Sequence, residues 1–297
     1  MGRITGLSMT MRMKALGAWS KLWESAPPRF MLDAGQTKLR IVNRDWATRG
    51  LVSWTPSWKS TLIGKVLKER PGTFLDVGAN IGQTLVDWMS APNRSTYVGF
   101  EPNVTCVRHL NSIIAGNKIE AAKIIPVGLS NESGVLTLYM QDDADSAATM
   151  VEDLRPGRDL KMQPVPVYRL DDIRDTIPNG PISLIKIDVE GGELHALQGM
   201  TSLLAAQSPW IMCEVLHRDP KASEPSYRKH ITDLYELLNS IDYEVLRIVQ
   251  TGDGGAVKDL EGTNAFPDLP YTAESRTRCD YLFLPKGQGQ AARKSIL

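Results

Sequence analysis

The residues of this chain that could do chemistry fall into two groups. The first is Asp76-Val-Gly-Ala-Asn-Ile-Gly82, a glycine-bracketed run with an acid just before Gly78. Gly78 has no Cβ, so a ligand can approach its backbone closely. A helix starting after Gly82 would offer free N–H groups to an anion. Dinucleotide sites use G-x-G-x-x-G. Here the third glycine of that pattern is missing, and Asp76 would repel a pyrophosphate while attracting an ammonium group. Glu101 stands about 25 positions beyond Asp76, close to the separation at which an acid on the second strand of a nucleotide-binding fold meets the ribose. A carboxylate there can accept from both ribose hydroxyls. The second group is Asp188, Glu190, Glu214 and His217. These are the residue types from which a general base is drawn. An ordinary imidazole also takes a proton near neutrality. Lys186 lies close enough in sequence to neutralise one of these acids.

The elements that must position these groups alternate strand and helix, which predicts a parallel sheet. Thr73–Val77 is rich in strand formers, and Gln83–Met89 opens a helix. Asp76–Gly82 therefore lies beyond the carboxyl end of a strand, where such sheets bind ligands. Ser95–Phe100 reads as the second strand, followed by Glu101, Pro102, Asn103 and a helix to Ala115. Lys123–Val127 is the third strand, Ile182–Asp188 the fourth, Trp210–Val215 the fifth, Tyr243–Val249 the sixth and Tyr281–Pro285 the last. Between the third and fourth, Val135–Met140 and Val165–Leu170 form a hairpin-like insertion around the acidic loop Gln141–Pro156. Asp142, Asp143, Asp145 and Ser146 in that loop have Mg²⁺-compatible chemistry, but a solvated loop is the favoured reading. Glu193–Leu204 reads as one helix, Tyr227–Asn239 as another and Ser57–Glu69 as a third. Thr251–Ala256 is glycine-rich and expected to be mobile.

Taken together these stretches resemble the FkbM-type family of methyltransferases that use S-adenosylmethionine (SAM). The resemblance rests on Phe74–Gly82, Gly99–Asn103, Val127–Asn131, Arg169–Asp172, Leu184–Leu194 and Glu214, in the family's order over roughly residues 70 to 217. It implies a Rossmann-like class I methyltransferase fold: an α/β domain with a mostly parallel seven-stranded sheet, its last strand antiparallel. It also implies SAM as methyl donor and a hydroxyl acceptor such as a sugar, glycolipid or secondary metabolite. The cofactor would be held by Asp76, Gly78, Ala79, Asn80, Gly82, Glu101, Pro102, Asn103 and Asp188, with Gly128, Leu129 and Ser130 near the adenine. Asp188 or His217 would serve as base, with Glu190 and Glu214 positioning the acceptor. A nitrogen acceptor and a non-catalytic SAM-binding module are the alternatives. A nicotinamide oxidoreductase is disfavoured by Asp76 and the missing glycine.

Composition narrows the class further. Lys+Arg and Asp+Glu number 34 each, so no basic surface supports broad nucleic-acid binding. Cys106, Cys213 and Cys279 are far apart and show no metal spacing, which fits a reducing, cytoplasmic setting and no metal site. No stretch approaches the ~18 apolar residues of a membrane helix. The expected organisation is a mainly helical extension over 1–70, a catalytic domain over 71–286 and a disordered tail over 287–297. Within the extension, Met9–Trp23 reads as a basic amphipathic helix, for which packing on the domain or a loose arm is favoured over contact with a membrane surface. Lys38–Val42 reads as a short strand. Trp46, Trp54 and Trp58 have ring chemistry suited to a sugar, though anchoring the extension to the core is the favoured role.

Overall fold

The computed structural model describes residues 30–35, 37–41, 51, 58–143, 145, 147–252 and 255–297. The Met9–Trp23 expectation and those for Trp46 and Trp54 lie outside them. Three of the elements form the ligand-facing unit expected from the sequence: strand β3 (Thr73–Val77), helix α2 (Gln83–Ser90) and strand β4 (Tyr97–Phe100). They are preceded by a hairpin, β1 (Phe30–Ala34) and β2 (Thr37–Ile41), and by helix α1 (Trp58–Glu69). Helix α3 (Val104–Gly116), β5 (Ala122–Ile125) and the short β6 (Gly128–Leu129) come next. The insertion pairs β7 (Gly134–Met140) antiparallel with β8 (Lys161–Tyr168), and β6 adds to β8 in parallel. Strand β9 (Ile182–Ile187) is followed by α4 (Glu193–Gln198), α5 (Thr201–Gln207) and β10 (Trp210–Glu214). Helix α6 (Glu224–Ser240), strands β11 (Tyr243–Gln250), β12 (Val257–Thr263) and β13 (Asp280–Pro285) and helix α7 (Gly289–Ile296) complete the chain.

The main sheet runs β12-β11-β13-β10-β9-β3-β4-β5. From β5 to β10 the strands are parallel, and β13 inserts antiparallel between β10 and β11. This is the mostly parallel α/β fold expected, with eight strands in place of seven. The extra edge strand, β12, pairs antiparallel with β11 beyond the glycine-rich turn. Its sequence, Val-Lys-Asp-Leu-Glu-Gly-Thr, buries only Leu260 and so carries a weak strand signal.

Side chains alternate across a strand with period two, and this alternation builds the site. One face of the sheet carries Phe74, Leu184, Met212, Leu246 and Leu282 into a core shared with α1, α2, α3 and α7. The same period places Asp76, Lys186, Glu214, Asp280 and Gln250 on that face near one edge, where Asp76 sits opposite Lys186 and Glu214 opposite Asp280. The other face carries Leu75, Val98, Ile185, Ile211 and Phe283 against α4, α5 and α6.

Over its described residues the extension adds to helix α1 a hairpin, β1 and β2, packed on α2 and α3. Two further expectations, for the tail and for Glu193–Leu204, are corrected. The tail is a helix: Ala292 and Ile296, one turn apart, are buried, and Lys65 Nζ donates to the Ile296 carbonyl at 2.5 Å. Glu193–Leu204 is broken at Gly199, whose backbone lies so near the Ser130 carbonyl that a Cβ would stand 2.0 Å from it. Trp58 is 3% exposed and belongs to the core, so it anchors α1 rather than stacking on a sugar. Among the described residues no helix is long and apolar enough to cross a membrane.

Candidate active site

At the carboxyl ends of β3, β4, β9 and β10 lies a cavity of about 240 Å³. Its floor is the turn after β3. Gly78 adopts φ +82 and Asn80 φ +46, and the Asn80 side chain closes the turn by accepting from Ile81 N at 2.6 Å. Glu101 is 6% exposed and faces the cavity. Its Oε2 accepts from Asn80 N and its Oε1 from Asn103 N, both at 2.8 Å. Each oxygen keeps a lone pair for a second donor. Burial outweighs these two donors and pushes the Glu101 carboxyl up to about 7.

On the opposite side stand Asp188, Glu190 and Glu214. Lys186, buried in β9, reaches three groups: Asp76 Oδ1 at 3.3 Å, Asp188 Oδ2 at 3.2 Å and the Gly78 carbonyl at 3.1 Å. The Glu190 carboxylate pairs with Arg155, yet burial and the nearby Asp188 charge raise it to about 8. Over the cavity lies the insertion: Leu138, Asp145, Ala148 and Met150 line it from above. That roof is tied down by Asn80 Nδ2 donating to the Asp145 carbonyl at 3.4 Å and Asn103 Nδ2 to the Asp143 carbonyl at 3.1 Å. Thr149 Oγ1 donates to the Glu190 carbonyl at 2.6 Å.

The profile of the Methyltransferase FkbM domain matches residues 76–245, more than half of the chain. This chain belongs to the FkbM methyltransferase family. The match identifies these residues as a methyltransferase domain. Methyltransferase sdnD of Sordaria araneosa is 29% identical over 154 residues, covering 42% of this chain and 59% of that protein. The chain thus spans less than two thirds of that relative's length. Among solved structures, a methyltransferase FkbM from Methylobacillus flagellatus is 17% identical, covering 71% of this chain and 43% of its own, with a TM-score of 0.41. An O-methyltransferase from Bacillus cereus solved with S-adenosylhomocysteine (SAH) is 11% identical, covering 81% and 86%, with a TM-score of 0.45.

Of the residues the sequence singled out in this FkbM domain, Gly78, Asn80, Glu101, Pro102, Gly128, Leu129, Asp188, Glu190 and Glu214 line the cavity. Six others do not. Asp76 is fully buried, with its carboxylate taken by the Tyr97 hydroxyl and by Lys186. It shapes the site from behind rather than meeting a ligand's ammonium group. Ala79 is buried and Gly82 is the residue that precedes α2, and neither is in the lining. Asn103 caps α3, its Oδ1 accepting from Thr105 N at 2.9 Å, and Ser130 lies buried beyond Leu129. His217 is 4% exposed and sits beside Ser275 and Cys279, away from the lining. Burial lowers its pKa and so keeps the imidazole neutral; it is its place off the lining that sets His217 apart from the candidate bases. Asp145 is occupied by its own loop, accepting from Gln141 N and Ala147 N. Among the described residues no group of acids, His and Cys is arranged to hold a metal.

Two lining contributions are not placed at the cavity by the sequence reading, which sets Lys59 beside the Trp46, Trp54 and Trp58 cluster and Asp145 in a solvated loop. The roof side chains come from alternation in β7 and from the loop behind it, where no motif marks them. Lys59 comes from α1, and its Nζ lies 3.9 Å from Asp280 Oδ1. Only the period-two placement of Asp280 on the face covered by α1 could have signalled it.

Proposed function

We propose that this chain transfers a methyl group from SAM to a hydroxyl oxygen of a small-molecule or glycan acceptor. The observation that carries this reading is one cavity with Glu101 on one wall and the Asp188–Glu214 carboxylate pair on the other. The donor, when bound, supplies a methyl group on a positively charged sulfur, an activated leaving group for in-line displacement. Glu101 accepts from the ribose hydroxyls with the lone pairs left by Asn80 N and Asn103 N. Gly128 and Leu129 flank the adenine. The first turn of α2, which brings Gln83 and Thr84 to the cavity, offers N–H groups to the methionine carboxylate. The roof of Leu138, Ala148 and Met150 excludes water.

The acid pair gives the oxygen reading its force. Glu214 is held well above the usual carboxylate range by the Asp188 charge and by burial. Asp188 is held low: burial opposes ionisation, but Lys186 and Lys59 overcome it, and Glu214 donates to it. Of the pair, Asp188 is thus the acid favoured in its ionised form and Glu214 the one favoured neutral. An alcohol must lose a proton as its oxygen is methylated, and in this reading Asp188, a lining residue, takes it.

The test is calorimetric titration of SAH into the wild-type protein and into Glu101→Ala. Micromolar binding is expected for the wild type. The substitution removes two hydrogen bonds to a charged acceptor, together worth about 3 kcal/mol, so affinity falls by about a hundredfold. Bidentate acceptance needs the carboxylate form, so wild-type affinity is expected to weaken as pH drops through about 7. Glu101→Ala should lose that pH dependence. A folded wild type that binds no SAH, alone or with polyhydroxylated acceptors present, would sink the methyl-transfer reading.

A further inference from the structure

We propose that Lys59 is a positioning residue for this site: carried in on α1, its ammonium group holds the Asp280, Glu214 and Asp188 carboxylates in the arrangement that receives the acceptor's proton. The inference rests on the proton-transfer reading above and extends the reaction site into the N-terminal segment, outside the 76–245 span of the family match.

The geometry is that of a constructed contact. Helix α1 packs on the sheet face from which Glu214 and Asp280 project. Its first residue, Trp58, is buried as an anchor, and the Lys59 Nζ stands 5.6 Å from that ring's centroid, within range of a cation–π attraction. The Lys59 and Asp280 side chains are 16% and 13% exposed, so their charges interact with little screening. Asp280 is fixed from its other side by Gln250 Nε2, which donates to Oδ2 at 2.6 Å. Lys59 itself lines the cavity.

The groups facing this constellation come from every surrounding element. Lys59 feels Asp280 of β13, Glu214 of β10, Asp188 after β9 and Asp87 of α2. Burial alone would lower its pKa, but these acids outweigh burial and raise it, so Lys59 stays charged. Asp188 faces Lys186, Lys59 and Glu214, with Glu190 and Asp76 as further like charges. Asp280 faces Lys59, Asp188, Gln250 and Lys186. Two cations, Lys59 and Lys186, thus share the acids of the wall, and Lys186 is also committed to Asp76. Without Lys59 the acids of the wall, Asp188 and Asp280 among them, would hold protons more tightly. In the reaction the acceptor O–H proton passes to the Asp188 carboxylate as the oxygen–methyl bond forms. The methyl–sulfur bond breaks with its electron pair on sulfur, leaving neutral SAH sulfur. Lys59 touches none of these atoms and acts through the carboxylates.

The experiment follows carboxyl ¹³C shifts against pH in the full chain, for wild type, Lys59→Met and Lys59→Arg, with Asp188 and Asp280 assigned from their Asn variants. SAH binding is measured on the same samples. In Lys59→Met the Asp188 and Asp280 midpoints are expected to rise by about one pH unit, tenfold in proton affinity. SAH affinity, read on the same samples, reports whether the cavity is still formed. Lys59→Arg should return both midpoints to wild-type values. Unmoved midpoints in Lys59→Met, or equal shifts in Lys59→Arg, would overturn the proposal. Should Lys59→Met not fold, Lys59→Gln, which keeps most of the stem, is read the same way. Loss of SAH binding by the wild type itself would overturn the methyl-transfer reading, and the titration midpoints would still report on Lys59.

Discussion

Replacing Lys186 by Met is expected to cost about 3–5 kcal/mol of stability, the usual penalty for stranding buried charges by removing their partner. The reason is the number of groups that meet at one ammonium. Lys186 is 4% exposed and stands between Asp76, with no exposure at all, and Asp188. It also donates to the Gly78 carbonyl at the turn that floors the cavity. Burial alone would lower the lysine's pKa, but Asp188 and Asp76 outweigh burial and raise it. In the variant both acids must either remain charged without compensation or take up protons in the folded state. Their folded pKa values then lie above the unfolded ones, so the folded protein binds more protons than the unfolded chain. Stability then falls as pH rises through the unfolded carboxylate range toward those raised values. The deficit relative to wild type should therefore be largest near neutral pH and shrink toward pH 4 to 5, about the ordinary carboxylate range. Urea unfolding of both proteins at several pH values measures this directly. A deficit under about 1 kcal/mol at neutral pH would mean that the three-way contact is not the keystone of the turn.

The legibility of this site follows from what kinds of constraint a sequence records. Thr73–Val77, the turn to Gly82 and Glu101 were readable because a strand, a glycine at positive φ and an acid at the next strand end are consecutive local features. Their order along the chain mirrors their order in space. Asp188, Glu190 and Glu214 were readable for the same reason, as strand-end residues. Asp76 was found but misplaced. Its motif position says it is near the ligand, whereas only the register that sets it opposite Lys186 shows where its carboxylate points. His217 was overvalued because imidazole chemistry is visible in sequence and the direction of the chain after Glu214 is not. Val215 N donates to the Cys279 carbonyl, which draws the segment toward β13 and away from the cavity. Lys59 and Asp280 are about 220 positions apart and belong to elements that meet only through the sheet's topology, so no local pattern could have joined them. The tail helix was hidden by its composition. Gly, Gln, Arg and Lys read as solvated, yet two apolar residues one turn apart suffice once α1 offers a surface.

The second large effect is expected at Gly78→Ala, with loss of about 3 kcal/mol of stability and of measurable SAH binding. Two costs combine there. The residue has φ +82, a conformation that costs a side-chain-bearing residue about 1–2 kcal/mol. A Cβ would also stand 2.0 Å from the Asp188 carbonyl oxygen and 3.1 Å from its carbon. The neighbour is backbone and cannot swing aside. Asp188 N donates to the Val77 carbonyl, and Gly78 N donates to the Phe100 carbonyl, so relief requires β3 to part from β9 or β4. Either movement shifts Glu101 relative to Asp188 and spoils both walls of the cavity. The control is Gly157→Ala. Gly157 has nearly the same torsion, φ +77, with nothing within 4 Å of the added Cβ. It should lose only the torsional part and keep SAH affinity. Equal losses in the two variants would show that backbone torsion alone selects glycine at position 78. A larger loss at Gly78, accompanied by failure to bind SAH, would show that the close approach of β3 and β9 is what the cofactor wall depends on.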